Sequence, residues 1–359
     1  MNIHHPPRFW SKVALPLAGL YGAVARLRAR LYVEAIFKTR RLDSPVVSIG
    51  NLTVGGTGKT PTAMCLASRL AGKGWRPAIL SRGYGRRSLD GFPRRQVLLV
   101  SDGSKLYCSP AAAGDEPYLM GLKLAGIPVL CHHRRYLAGR WAEDHLPANL
   151  FVLDDGFQHL GLHRDFNLLL MDGAAPLGNG LALPAGPLRE PARAIRRADA
   201  VLLTRCAESD RERVQPLLDR WSPRLPVFTS HFTPSRLIGP EWSDRRPITD
   251  LAGQKAVAFC GLARPEQFFH MLEDLKVRLA ERIVFEDHQA YGPGELKQIE
   301  SACRSRAPDI LLTTEKDLVK LAGNPFQAPL LAVEISLDFH QDGLLELIEA
   351  KLATRLSGK

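Results

Sequence analysis

No two cysteines of this chain stand close together. Cys65, Cys108, Cys131, Cys206, Cys260 and Cys303 are scattered singly. There is neither a C-x-x-C zinc knuckle nor the paired framework of a small secreted domain, and a reducing compartment fits. The apolar run from Val13 to Ala25 falls short of the roughly 20 residues that a membrane-spanning helix needs. Internal repeats and low-complexity tracts are also missing, which sets aside solenoids and repeat arrays. His159 and His163 have helical i,i+4 spacing but lack the glutamate of H-E-x-x-H, so zinc there is a weak reading.

What is present suits a folded, core-bearing protein. The chain has 359 residues, 45% of them hydrophobic, enough for one large domain or two ordinary ones. Its formal net charge of +11 favours an acidic partner. The excess is local: Arg8, Lys12, Arg26, Arg28, Arg30, Lys38, Arg40 and Arg41 face a single acid, Glu34, within residues 1–41. Nucleic-acid binding predicts cations spread along one face with interleaved aromatics, and no such module appears. The segment Phe9–Phe37 joins apolar bulk, aromatic residues and flanking arginines, as does an amphipathic helix lying in an anionic membrane interface. A signal peptide ending near Ala23-Val24-Ala25, or a helix packed on the protein's own core, are the other readings.

Short apolar runs recur, each followed by a polar loop and a helical pattern. They are PVVSIG (45–50), PAILSRG (77–83), IPVLC (127–131), NLFVLDDG (149–156), FNLLLMDG (166–173) and DAVLLTR (199–205). Strands apolar throughout, alternating with helices, predict a mostly parallel sheet covered on both faces. Prolines and polar residues break the rhythm over 222–250, which reads as a linker. The rhythm resumes from Lys255 as a smaller α/β unit. A strand over 329–339 and an amphipathic helix over 343–356 close the chain.

The stretch SIGNLTVGGTGKTP (48–61) follows an apolar strand and opens a helical pattern. Gly55, Gly56 and Gly58 let backbone amides converge on phosphate oxygens, and the helix N-terminus adds its dipole. Lys59 is placed to reach the β- and γ-phosphates, and the Thr60 hydroxyl to ligate Mg²⁺. The first glycine of the usual G-x-x-x-x-G-K-[ST] pattern is replaced by Thr53, and Val54 stands where deviant P-loops carry an extra lysine. Asp154 and Asp155 end an apolar strand, where a P-loop enzyme keeps its metal-binding acid. Asp115 and Glu116 in AGDEP are equally a helix N-terminal pair or a functional pair. SRGYGRR (81–87) either binds an anion or is a basic surface loop. GNGLALPAGPLREP (178–191) is either a shaped binding loop or a linker.

Together the stretches SIGNLTVGGTGKTP, LSRGYGR, GDEP, LDDGFQH, MDG, GNGLALPAGPLREP, FCGLARPEQF, FEDHQAY and LLTTEKDLVKL resemble the tetraacyldisaccharide 4'-kinase family. They keep the family's order over roughly residues 10–320, and that family's P-loop also lacks both the first glycine and the extra lysine. The resemblance implies a P-loop NTPase-like α/β fold, with a smaller α/β domain joined by a two-stranded linker. The expected parts are a membrane-interface region (1–40), a kinase domain (41–225), a linker (226–250), the smaller domain (251–328), and a return strand with C-terminal helix (329–359).

The resemblance implies an ATP- and Mg²⁺-dependent kinase at the cytoplasmic face of the inner membrane. Its acceptor would be the 4'-hydroxyl of a lipid-linked glucosamine disaccharide 1-phosphate, and its partners that lipid and an anionic membrane surface, not nucleic acid. Carried over by motif, Asp115 is the catalytic aspartate, His288 its partner and Lys59 the phosphate lysine. Gly55, Gly56, Thr57, Gly58, Lys59, Thr60 and Pro61 cradle the nucleotide. Thr60, Glu116, Asp154 and Asp155 fall at the metal positions. Arg82, Tyr84, His159, Asn179, Arg189 and Glu190 fall in motifs that hold the disaccharide or transition-state charge. The alternative is a membrane-associated P-loop ATPase without a small acceptor.

Overall fold

Runs of consecutive apolar residues, buried on both faces, become the strands of one large sheet in the computed structural model. It describes residues 13–84, 86, 95–206, 209–287, 289–321, 323–339 and 343–357. In chain order the strands are β1 (Val46–Asn51), β2 (Pro77–Ser81), β3 (Leu98–Ser101), β4 (Val129–Cys131), β5 (Leu150–Leu153), β6 (Phe166–Asp172) and β7 (Ala200–Thr204). They continue as β8 (Val227–Ile238), β9 (Arg245–Pro247), β10 (Lys255–Cys260), β11 (Arg278–Val284), β12 (Ile310–Thr314) and β13 (Leu330–Phe339). Their order across the sheet is β11-β10-β12-β13-β8-β7-β6-β1-β5-β2-β4-β3, with β9 paired on β8. All neighbours run parallel except β3 with β4, β8 with β9, and β13 with β8. The expected mostly parallel α/β sheet is what forms.

The site-bearing strands are the most central. Every residue of β1, β5, β6 and β7 is buried, and Phe151 and Phe166 are fully enclosed. Truncating either phenylalanine to alanine costs about 3–5 kcal/mol in such settings. The helix Lys59–Gly72 lays Thr62, Ala63, Met64, Leu66, Ala67 and Leu70 on this sheet at helical spacing. That packing anchors the loop ahead of it. The closing helix Gly343–Ser357 buries Leu344, Leu345, Ile348 and Leu352 in the same cluster. Arg355 then caps carbonyls far back in the chain: Leu42 at 2.7 Å, Ser44 at 3.0 Å and Asp43 at 3.0 Å.

The stretch read as a linker from its prolines contains a long strand, and β8 with β13 forms the two-stranded connection that the resemblance implies. β8 pairs antiparallel with β13 from Ile238↔Ala332 to Ser230↔Phe339, and its register shifts beside Pro234. A bulge is where a sheet tolerates proline, so the prolines disguised the strand without preventing it. β3 was not anticipated either; it is a short edge strand.

The N-terminal helix Leu15–Val33 runs well past Ala25. Ala14 and Ala18 pack against Ala185 and Leu181, and Gly22 faces Pro191 and Ala182. On its other sides Leu17 is 61% exposed, Leu20 62%, Val24 58% and Leu27 58%. Among the described residues no helix is long and apolar enough to cross a membrane.

Candidate active site

The strand–loop–helix unit opens the site. β1 ends at Asn51, the loop turns through Gly55 (φ 100°) and Gly58 (φ 81°), and the helix starts at Lys59. A Cβ on Gly58 would lie 2.2 Å from the Phe232 ring, so both backbone angle and space demand glycine there. The Asn51 side chain donates to the Thr53 carbonyl at 2.7 Å, and its Oδ1 accepts from Lys59 Nζ at 3.3 Å. Thr62 Oγ1 donates to the Gly58 carbonyl at 2.8 Å. These bonds hold the loop from within, and Thr204 at the end of β7 adds one from outside by donating to the Thr57 carbonyl at 3.2 Å.

β5 delivers the second element. Asp154 is buried, with its Oδ2 3.5 Å from Ser81 Oγ and no hydrogen-bond partner at Oδ1. Burial, reinforced by Glu116 and Asp155, pushes its carboxyl up to about 7. Asp155 sits in the left-handed region (φ 50°), with its carbonyl held by Arg135 Nη2 at 3.3 Å. Its carboxylate faces Lys59 Nζ at 3.7 Å and accepts from Arg189 at 3.0 Å. Burial alone would raise it, but these two cations hold it below the usual carboxylate range. Neighbouring acids thus differ: one is a fixed anion, the other poised near neutrality.

AGDEP forms the start of the helix Asp115–Lys123. Gly114 (φ 91°) makes the turn, and a Cβ there would meet the Tyr84 carbonyl at 2.4 Å. Two lysines of the helix Glu315–Leu321 reach this turn from the other part of the sheet. Lys316 lies 3.8 Å from Glu116 and 2.8 Å from Asp287; Lys320 lies 3.9 Å from Asp115 and 2.9 Å from buried Asp317. At the far end of the helix Asp115–Lys123, Lys123 pairs with Glu315 and, at 2.9 Å, with Glu334.

These elements line one cleft of about 760 Å³. Gly55 to Pro61, Arg82, Tyr84, Glu116, Asp154, Asp155 and Arg189 are all on its wall. Asp115 is not on that wall, although it adjoins Glu116. Asn179, His159 and Glu190 are not on it either. Asn179 braces its own loop, donating to the Ala185 carbonyl at 2.9 Å and accepting from the Leu181 amide at 3.1 Å. Glu190 is buried against Arg197 at 2.8 Å. Burial, with Arg135, Arg164, Arg28 and Arg82 around it, pushes His159 down to about 3, so it is neutral. His288 lies outside the described residues. Lys316, Lys320, Asp172, Arg205 and Arg264 were missed. Their only signal was membership of the motifs TTEKDLVKL, MDG and GLARPEQF or of the end of a strand.

The residues fit a Mg²⁺-nucleotide. The orphaned Asp154 Oδ1 and the buried, unpartnered Thr57 Oγ1 both await a ligand atom. Among the described residues no three His, Cys, Asp or Glu side chains form a metal cage. Mg²⁺ does not require one, since it is usually held by one or two carboxylates, waters and substrate phosphates.

A glycine-shaped loop at a helix N-terminus, facing an acidic strand end across a lysine, is the arrangement of P-loop phosphotransferases. Comparison with known proteins narrows the class. The family model for tetraacyldisaccharide-1-P 4'-kinase matches residues 10–353, and the chain belongs to that family. Proteins named tetraacyldisaccharide 4'-kinase from Geobacter metallireducens and Geobacter sulfurreducens are similar to it. They are 44% identical over 84% of this chain and 86% of theirs, and 43% identical over 87% and 84%. The crystal structure of LpxK from Aquifex aeolicus in complex with ATP matches with a TM-score of 0.75 and 34% identity. It covers 95% of this chain and 99% of that one. The resemblance read from the motifs is borne out, and the acceptor-free ATPase is not favoured.

Proposed function

We propose that the chain transfers the γ-phosphoryl group of ATP to the 4'-hydroxyl of tetraacyldisaccharide 1-phosphate, a lipid A precursor of lipopolysaccharide biosynthesis. The observation that carries this reading is the single cleft walled by both the phosphate loop and Glu116, Asp154 and Asp155. Asp115 takes the proton from the 4'-hydroxyl as its oxygen bonds to the γ-phosphorus. The bond from that phosphorus to the β,γ-bridging oxygen breaks, and its electron pair leaves with ADP. Lys59 and the loop amides hold the phosphates, so the protein's contribution is mostly position and charge. Thr60, Glu116, Asp154 and Asp155 would hold Mg²⁺, which when bound would supply charge neutralisation for the transferred phosphoryl group.

Arg82, Tyr84 and Arg189 orient the acceptor from the cleft wall. His159, Asn179 and Glu190 act from behind, bracing the turn and loop that carry them. His288, carried over by motif, serves as the partner of Asp115 in the proton transfer. The kinase unit is taken as 41–225 and the smaller unit as 251–328, a division that the antiparallel pairing of β8 with β13 between them supports. The apolar side of Leu15–Val33 lies in the membrane interface at the cytoplasmic face, where arginines meet anionic lipid and the acceptor's acyl chains stay in the bilayer.

The test is label transfer from γ-labelled ATP to detergent-solubilised tetraacyldisaccharide 1-phosphate, for wild type and Asp115→Ala. Labelled lipid that falls by about 10²–10⁴ in the variant is expected for loss of a general base. ATP hydrolysis without labelled lipid would sink the kinase reading. Labelled lipid unchanged in the variant would remove Asp115 from its role.

A further inference from the structure

A second charge cluster flanks the phosphate loop. Asp172 closes β6 and is 3% exposed. Its Oδ1 accepts from the Ala174 amide at 3.0 Å. Its Oδ2 accepts from Arg205 at 3.5 Å and from Arg264. Arg205 follows β7 in the left-handed region (φ 54°), donates to the Gly56 carbonyl at 2.6 Å and lies 5.7 Å from the Phe232 ring centroid. Arg264 comes from the other half of the sheet, after β10 and immediately before the helix Pro265–Asp274. Both arginines line the cleft that holds Lys59 and Asp154.

The charges do not balance. One carboxylate faces two guanidinium groups, leaving about one positive charge beside a loop built for phosphate. The arginines also differ in tether. Arg205 is fastened to the phosphate loop through Gly56, whereas Arg264 reaches Asp172 from the other half of the sheet and is not tied to the loop. A triphosphate outcompetes one carboxylate for a guanidinium, because it carries more charge and offers several oxygens to the planar fork.

We propose that Arg264 is a catalytic residue of the phosphoryl transfer. It leaves Asp172 and donates to the γ-phosphoryl oxygens as charge develops on them, while Asp172 holds it beside the phosphate loop between turnovers. The inference rests on the kinase reading given above. No bond or proton changes at Arg264, which stays protonated throughout. In P-loop enzymes an arginine brought to this charge contributes about 10³–10⁵ in rate.

The experiment compares the full chain with Arg264→Gln and Arg264→Lys in detergent. It measures kcat, KM for ATP, retention of ADP with aluminium fluoride, and melting temperature. Arg264→Gln is expected to lower kcat about 10³-fold, to leave KM for ATP within about threefold, and to abolish aluminium fluoride retention at an unchanged melting temperature. Arg264→Lys is expected to restore only part of kcat, since a point charge lacks the fork. A kcat within about threefold of wild type in Arg264→Gln, or a loss confined to KM, overturns the proposal. So does wild-type aluminium fluoride retention in that variant. If Arg264→Gln melts early, full kcat in Arg264→Lys overturns it instead. Absence of labelled lipid from wild type itself would overturn the kinase reading, and is seen before any variant is compared.

Discussion

The two walls of the cleft are made of different materials. On the phosphate-loop side the working groups are backbone amides and short side chains at the ends of wholly buried strands. Asn51, Thr62 and Gly58 hold them through hydrogen bonds inside one stretch of chain, and Thr204 and Arg205 at the end of β7 hold the Thr57 and Gly56 carbonyls. On the other side the groups are the long cations Lys316 and Arg264, paired with Glu116 and Asp172, and behind them Lys320 reaches Asp115. A backbone cradle is rigid and insensitive to salt. Paired side chains can exchange one anion for another, at a cost that depends on ionic strength. One wall is therefore suited to holding the nucleotide, and the other to changing partners during turnover.

The largest expected effect breaks the rigid wall. Lys59→Ala should lower lipid phosphorylation by about 10³-fold or more, because the lysine serves both phosphate charge and the Asp155 pair. Steady-state label transfer checks this, and near-normal product would show that the loop amides suffice. Gly58→Ala should come next. Its φ of 81° and the 2.2 Å approach to Phe232 force the loop to move, so nucleotide affinity should fall about tenfold or more by calorimetry.

The charged wall should respond more mildly. Lys316→Ala removes a partly exposed cation from Glu116 and Asp287. Stability should change by at most about 1 kcal/mol, whereas kcat/KM should fall about tenfold and lose part of its salt dependence. Equal salt profiles for wild type and variant would erase the distinction between the walls.

Asp154 sharpens the comparison through pH. Its folded carboxyl is raised to about 7 from 3.8, so the native state binds the extra proton between those values. Ligand-free wild type should lose stability as pH rises through that window, with the loss complete above it. Asp154→Asn should therefore melt higher than wild type at pH 8, and the gain should vanish below about pH 4. Scanning calorimetry across pH decides it; a pH-independent gain would mean that burial does not set the titration. The smallest effect on chemistry is expected far from both walls. Replacing Leu17, Leu20 and Leu27 by serine should weaken sedimentation with anionic vesicles while leaving turnover in detergent within about twofold.

Much of this molecule was legible in one dimension because its signals are local. A strand buried on both faces needs consecutive apolar residues, so β1, β5, β6 and β7 stand out as runs. A phosphate loop needs glycines, lysine and threonine at fixed spacing on adjacent residues, so Gly55 to Thr60 could be named without a fold. β8 was harder, since Pro234 sits at a bulge that only its pairing with β13 explains. The charged wall was not legible at all. Arg264 and Asp172, or Lys320 and Asp115, are far apart along the chain, and no spacing rule links them. Their meeting depends on how β8 and β13 bring the two parts of the sheet together. The sequence by itself determined the strand type, the phosphate loop and the family. The tertiary structure decided which distant charges share the cleft, because electrostatic partners are selected by distance in space rather than by position along the chain.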